Sequence, residues 1–268
     1  MNILLCMKQV PDTTEIKIDP ETNTLIRAGV PSIVNTFDAY ALEVAARMKD
    51  ADPEGTKVTV ISMGPDQAKE ALKSCLAVGA DEAYLVSDRV FGGSDTLATS
   101  YILSCAIQKL EADNGVFDVI FCGKQAIDGD TAQVGPEIAE HLDRPQITYA
   151  SNVEVENGEL RIKRESDLGY DIMTCKTPCV ITVVKTPFEP RYPTMKTRMA
   201  ATRAQIPVIT SADLNGIDTT RCGLKGSPTK VKKTFTPERN KTCRFIQEDV
   251  SKDSARVLLG LLVDAKLF

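Results

Sequence analysis

The residues best suited to chemistry lie in one run, Gly123-Lys124-Gln125-Ala126-Ile127-Asp128-Gly129-Asp130-Thr131-Ala132-Gln133-Val134-Gly135-Pro136. It follows an apolar strand pattern and leads into a helix pattern. Its glycines let a backbone approach a ligand, and N–H groups at the start of the following helix attract phosphate. Gln125, Thr131 and Gln133 offer hydrogen bonds to phosphate, ribose or base edges. Asp128 and Asp130 repel a phosphate but can accept from ribose hydroxyls or cap the helix. A polar loop with a helix cap is the plainer explanation of such a run. Its place after a strand favours binding, because open parallel sheets take their ligands at the carboxyl ends of strands. Two other runs say less on their own. Val34-Asn35-Thr36-Phe37-Asp38 reads first as an Asn or Thr cap. Phe91-Gly92-Gly93-Ser94-Asp95-Thr96-Leu97-Ala98-Thr99 is a glycine-rich helix start.

Metal chemistry is disfavoured. The eight cysteines are scattered with no C-x-x-C pair, and His141 is the only histidine, whereas zinc and iron–sulfur sites need clustered ligands. Most of the cysteines fall in apolar runs, as small core residues do. The net charge of −5 hides an asymmetry: residues 1–184 carry a net −13 and residues 185–268 a net +8. The basic part is expected to lie against something negative. Aromatics are only 5% of the chain and Trp is absent, so nucleic acid, which is bound by stacking as well as charge, fits less well than an acidic partner or the acidic body of this chain.

The elements that must position these residues alternate strand and helix. Ile3–Met7, Val58–Met63, Ala83–Val86, Val119–Cys122 and Cys179–Val184 read as strands. Helices are expected from Asn35 or Thr36 to about Asp50, over Gln67–Ala77, Thr96–Glu111 and Pro136–Leu142. This predicts an α/β fold with a parallel sheet, helices on both faces and a Rossmann-like nucleotide site. Ile16–Asp19 and Thr24–Arg27 form a predicted β-hairpin excursion, and Asn157-Gly158 a hairpin turn between Val153–Glu156 and Leu160–Lys163. From Thr186 to about Arg244 the chain is Pro-, Gly- and Lys/Arg-rich with little periodicity, an extended arm, and Ser254–Lys266 closes as an amphipathic helix. The expected division is 1–185 for the nucleotide-binding domain and 186–268 for the arm and final helix. No apolar stretch approaches the roughly 20 residues that span a bilayer, and the short apolar start lacks a leader's features. A cytoplasmic protein is expected.

Together the runs resemble the electron transfer flavoprotein beta subunit over the whole length. The resemblance is carried by Lys8-Gln9-Val10-Pro11-Asp12, Asn35 to Glu43, Gly64-Pro65, Gly79-Ala80-Asp81, the specific Gly123–Glu140 stretch, and Glu189-Pro190-Arg191-Tyr192-Pro193 with Met195 and Met199. The Phe91–Thr99 run, and Gly226-Ser227-Pro228-Thr229 leading to Phe235-Thr236-Pro237, resemble the electron-bifurcating branch found in anaerobes.

That resemblance implies a cofactor site at Cys6, Lys8, Asn35, Thr36, Phe37, Asp38, Met63, Gly64, Ser94, Asp95, Thr96, Thr99, Gly123, Lys124, Gln125, Asp128, Gly129, Asp130, Thr131, Ala132, Gln133 and Val134. Some members carry Cys at the positions of Asp38 and Met63, and a small residue at that of Cys6. The cofactor implied is FAD, with structural AMP the alternative. The protein would be an electron carrier without a catalytic side chain, with NADH as donor. The implied partners are an obligate alpha subunit, ferredoxin or flavodoxin, and a flavin dehydrogenase of the acyl-CoA dehydrogenase type. Arg191 and Tyr192 would face the large subunit, and Met195 would dock the dehydrogenase. A stand-alone nucleotide-binding signalling protein is the rival of another class; the basic arm argues against it. An ATP-pyrophosphatase would need a Ser-Gly-Gly-rich loop where Lys8-Gln9-Val10-Pro11-Asp12 stands.

Overall fold

The computed structural model describes residues 1–12, 32–232 and 243–267. Short apolar runs with no polar alternation demand cover on both sides, which is what the central strands of a parallel sheet receive. They are β1 (Asn2–Cys6), β4 (Lys57–Met63), β5 (Glu82–Val86), β6 (Val119–Gly123) and β10 (Cys179–Val183). Between β1 and β4 lie β2 (Gln9–Pro11) and β3 (Ser32–Val34), a separate antiparallel pair, then α1 (Thr36–Ala51). The predicted hairpin over 16–27 falls between β2 and β3, outside the described residues. The other helices of this half are α2 (Lys69–Ala77), α3 (Thr96–Asn114) and α4 (Val134–His141).

Among the described residues the sheet has nine strands, in the order β11 (Val208–Ile209), β5, β4, β1, β6, β10, β7 (Gln146–Glu156), β8 (Glu159–Ser166), β9 (Gly169–Cys175). It is parallel from β11 to β7, then antiparallel through β8 and β9. On one face Leu5, Val60, Phe121 and Ile181 bury with Leu42 of α1 and Leu72 of α2. On the other Leu4, Ile61, Ile120 and Val180 bury with Ile102 of α3 and Ile138 of α4. The α/β fold with helices on both faces is therefore the observed one, and it brings the carboxyl ends of β1, β4 and β6 to one edge.

Two regions depart from the reading of the sequence. The predicted hairpin is a three-stranded antiparallel extension: β7 is longer than Val153–Glu156, and β9 is an added edge strand, exposed over Gly169–Thr174. The predicted arm is not extended throughout. It forms α5 (Met195–Arg203), the edge strand β11 and the short α6 (Gly223–Gly226), and it buries Ile206, Ile209, Leu214 and Cys222. Ile206 buries in the core on the α1 and α2 face, and Ile209, Leu214 and Cys222 in that on the α3 and α4 face, so they show no helical or strand period of their own. Residues 1–232 form one compact unit and 233–268 a second. Of the second, α7 (Ser251–Asp264) is the helix expected over Ser254–Lys266, with Leu258, Leu259 and Val263 exposed.

Candidate functional site

The site is built from the ends of β1 and β6 outward. Asp38, in the first turn of α1, is buried, and its carboxylate accepts from the backbone N–H of Lys8 at 2.7 Å and of Gly123 at 2.9 Å. One side chain thus ties both strand ends to the helix. A Cβ at position 123 would collide with that carboxylate, so glycine is required there. Burial pushes the Asp38 carboxyl up to about 7, against hydrogen bonds from Lys8 N–H, the Asn35 side chain and Gly123 N–H and the charge of Lys8.

Asn35 occupies the N-cap position of α1 but does not cap it. Its amide donates to Gln125 O at 2.8 Å and its carbonyl accepts from Ile127 N–H at 3.0 Å. The plain-cap explanation of this residue is replaced by a long-range one: Asn35 pins the loop after β6. The same loop is held by Lys8 Nζ to Asp128 at 2.6 Å and by Gln125 to Asp130 at 2.7 Å. Asp130 and Ala132 have φ of 51° and 53°, the left-handed conformation that lets the loop double back before α4.

Gln133 does not cap α4; its side chain meets Thr96 Oγ1 at 3.0 Å. In the first turn of α4 Pro136 has no N–H and Glu137 N–H is bonded to Gln133 O, so among the described residues Val134 and Gly135 N–H are the donors left without a side-chain acceptor, which is the arrangement an anion fits. Glu137, one turn on, also reaches Thr96 Oγ1 at 3.3 Å. The predicted loop over Gly123–Val134 and the start of α3 are thus neighbours, as a ligand longer than a mononucleotide would need.

Ser94 and Asp95 also hold the chain's own later segment. Ser94 Oγ donates to Phe91 O at 2.8 Å and accepts from Gly223 N–H at 3.0 Å. Asp95 caps α3 through Ala98 N–H and accepts from Thr229 N–H at 2.9 Å, while its own N–H donates to Ser227 Oγ at 2.8 Å. Gly223, at φ 60°, lies so close to Val90 O that no side chain fits. The Gly226-Ser227-Pro228-Thr229 run is therefore clasped to the glycine-rich helix start.

Met63 ends β4 and Gly64 follows it, with Gly64 N–H bonded to Val86 O at 3.1 Å. Cys6 and Cys122 are register partners on β1 and β6, both buried. Thr36 and Thr131 are exposed, and Phe37, Thr99 and Val134 half-buried, around the same edge. Gly129 has open space beside it. Arg191 is not free: it pairs with buried Glu43 at 2.8 Å and with Asp50 at 2.7 Å. Tyr192 and Met195 are exposed, 94% and 75%. Glu137 and Tyr149 were not singled out from the sequence. For Glu137 the signal was its spacing of four from Gln133 on one helix face; Tyr149 gave none.

Compared with known proteins, the family model of the electron transfer flavoprotein domain matches residues 22–214. The chain is 56% identical over 239 residues to an electron transfer flavoprotein subunit beta of Megasphaera elsdenii, covering 88% of each chain. It is 48% identical over 237 residues to the caffeyl-CoA reductase–Etf complex subunit CarD of Acetobacterium woodii, again 88% of each. To protein FixA of Azotobacter vinelandii it is 45% identical over 273 residues, 100% of this chain and 95% of that one.

Proposed function

The chain belongs to the electron transfer flavoprotein family as a beta subunit, and on that premise we propose that it holds FAD at the β1, β4 and β6 ends and serves in electron bifurcation. Beta subunits of this family pair with an alpha subunit, so its work is that of a heterodimer. A flavin bound there would supply the redox chemistry: hydride uptake from NADH, then one electron to ferredoxin or flavodoxin and one, through a second FAD on the large subunit, to a dehydrogenase flavin. The protein's side chains supply binding and electrostatics.

The observation that carries the reading is the junction of Thr96 with Gln133 and Glu137. It sets the glycine-rich start of α3, capped by its own Asp95, beside the uncapped start of α4, a juxtaposition that suits a ligand longer than a mononucleotide. The residues fit the group. The Asn35-pinned loop and Gly129 line the adenine side, Asp128 and Asp130 suit ribose hydroxyls, and α4 N–H groups suit a phosphate. Likeness to CarD, named for a reductase–Etf complex, and to FixA supports the bifurcating branch. The cytoplasm is its proposed location; among the described residues no helix is long and apolar enough to cross a membrane.

Residues 186–268 are proposed to face the large subunit, with Tyr192 beside it, Arg191 bracing the segment, and Met195 as an exposed anchor for an acyl-CoA dehydrogenase type of partner. Lys196 and Arg198 flank Met195 and would steer an acidic surface.

The deciding experiment is chromatography of the acid-extracted ligand from the heterodimer. The expected result is two FAD per heterodimer and no stoichiometric AMP; one AMP with one FAD would establish an AMP-holding beta subunit instead. Asp128→Asn and Gln133→Ala are expected to lower flavin content of purified heterodimer several-fold while moving the melting temperature little. Each removes hydrogen bonding worth about 0.5–1.5 kcal/mol from a loop that contributes little to the core. Full flavin retention in both would take these residues out of the site.

A further inference from the structure

β7 breaks its own alternation beside the site. Ile147, Ala150 and Val153 all bury in the core against α1, although they are three residues apart. A regular strand would return to the same face every two residues. The register with β10 shifts between Ile181 and Val183, and that with β8 between Ala150 and Asn152. Tyr149 lies in the first of these bulges with φ of 62°, a conformation disfavoured for a residue with an aromatic side chain. Its N–H is satisfied by Thr182 Oγ1 at 3.0 Å. Thr182 in turn packs so closely under α4 that a Cβ on Gly135 would stand 2.6 Å from its methyl group. Without the bulge Tyr149 would share the core face of Ile147. With it, the ring lies within 5.1 Å of Lys124 Nζ. Lys124 is anchored at the other end by its N–H to Val183 O at 2.7 Å.

Bulges that re-aim one side chain, and strained residues that persist, concentrate at functional sites. Here the re-aimed ring faces the one lysine of the loop that precedes α4. We propose that Tyr149 is a positioning residue: its ring holds the Lys124 ammonium beside the start of α4, where the pair fixes an anionic group of the bound nucleotide. The assignment rests on the nucleotide-binding reading above. An ammonium on four rotatable carbons is a poorly aimed charge; an aromatic face within cation–π range restricts it and excludes water from one side.

Substitution separates this role from a structural one, because the left-handed backbone favours the residue that would remove the ring. Asn and Gly adopt that conformation readily. In heterodimer stripped of bound nucleotide, binding of AMP and of FAD is measured by calorimetry for wild type, Tyr149→Phe, Tyr149→Asn, Lys124→Met and the double variant Tyr149→Asn/Lys124→Met. Tyr149→Asn is expected to melt at or above the wild-type temperature and yet to bind both nucleotides roughly 3- to 30-fold more weakly. Tyr149→Phe keeps the ring and is expected to bind as wild type. The double variant is expected to bind no more weakly than Lys124→Met alone, since a ring without its ammonium has nothing to position. Wild-type binding by Tyr149→Asn, or losses in the two single variants that simply add, overturns the assignment while leaving the nucleotide site standing. A wild-type heterodimer that rebinds neither AMP nor FAD overturns the nucleotide reading and the role of Tyr149 with it.

Discussion

Arg191→Met is expected to destabilise the folded chain by about 3–5 kcal/mol, because it leaves a buried carboxylate with Arg47 alone to oppose its burial. Glu43 of α1 is 5% exposed and receives the Arg191 guanidinium at 2.8 and 3.2 Å, its backbone N–H at 3.0 Å, and Arg47 at 3.0 Å. Burial alone would raise the Glu43 carboxyl above its ordinary range. Hydrogen bonds from Arg191 and Arg47 outweigh that and hold it below. Arg47 remains in the variant but is itself braced on the Phe188 ring at 3.9 Å, in the segment Arg191 anchors. The retained Arg47 still pairs with the carboxylate, beside a cavity of about 160 Å³ lined by Leu42, Glu43, Cys75 and Arg191, which places the loss toward the lower end.

The pH dependence gives the sign. In wild type the depressed carboxyl contributes stability that is present above its ordinary 4.5 and is lost as pH falls through its lower folded value. In Arg191→Met, Arg47 alone opposes burial, so the carboxyl moves up from its wild-type position and acid relieves the variant. The gap in unfolding free energy between the two proteins, read from urea titrations, should be largest near neutral pH and shrink toward pH 4. A gap below about 1 kcal/mol at neutral pH would mean that the pair is screened like an ordinary surface bridge. The double change Glu43→Gln/Arg191→Met should recover most of the loss, because it removes the charge together with its partner.

This pair marks where the sequence stopped being informative. The central strands were legible because runs such as Ile3-Leu4-Leu5 have no polar alternation, α1 because its apolar residues recur at helical spacing, and α3 because a glycine-rich entry leads into it. The loop after β6 was legible as a site because its polar and glycine content follows a strand. Arg191 was legible only as a surface residue: 148 positions separate it from Glu43, and no local period links them. β9 was missed because both its faces are exposed, so burial imposes no pattern on Gly169–Thr174. α5 was missed because only Ala201 is buried, leaving no apolar stripe, although Thr194 and Thr197 form a reciprocal cap. The capping reading of Asn35 failed for the same reason in reverse: the local rule was satisfied on paper, and a partner 90 residues away took the side chain.

Asp38→Ala is expected to cost at most about 2–6 kcal/mol, since it orphans two part-buried donors, Lys8 N–H and Gly123 N–H, at up to about 1–3 kcal/mol each. It should also strip the heterodimer of nucleotide, because those two groups fix the ends of β1 and β6 from which Lys8–Asp128 and the pinned loop extend. Asp38→Asn is the sharper probe, since it keeps the shape and one acceptor. Burial and the hydrogen bonds pull the wild-type carboxyl in opposite directions, and burial wins, placing it at about 7 against an ordinary 3.8. Between those values the folded protein holds a proton that the unfolded chain has released. Stability contributed by the neutral group is therefore fully present near pH 4 and lost as pH rises to about 7. Wild type minus Asp38→Asn, in unfolding free energy, should fall across that window and level off above it. A difference that rises instead would show that the Lys8 and Gly123 donors outweigh burial. The carboxylate would then be charged throughout the physiological range, and the negative charge it places under the loop would itself disfavour phosphate at that point, pushing the anionic end of a nucleotide toward α4.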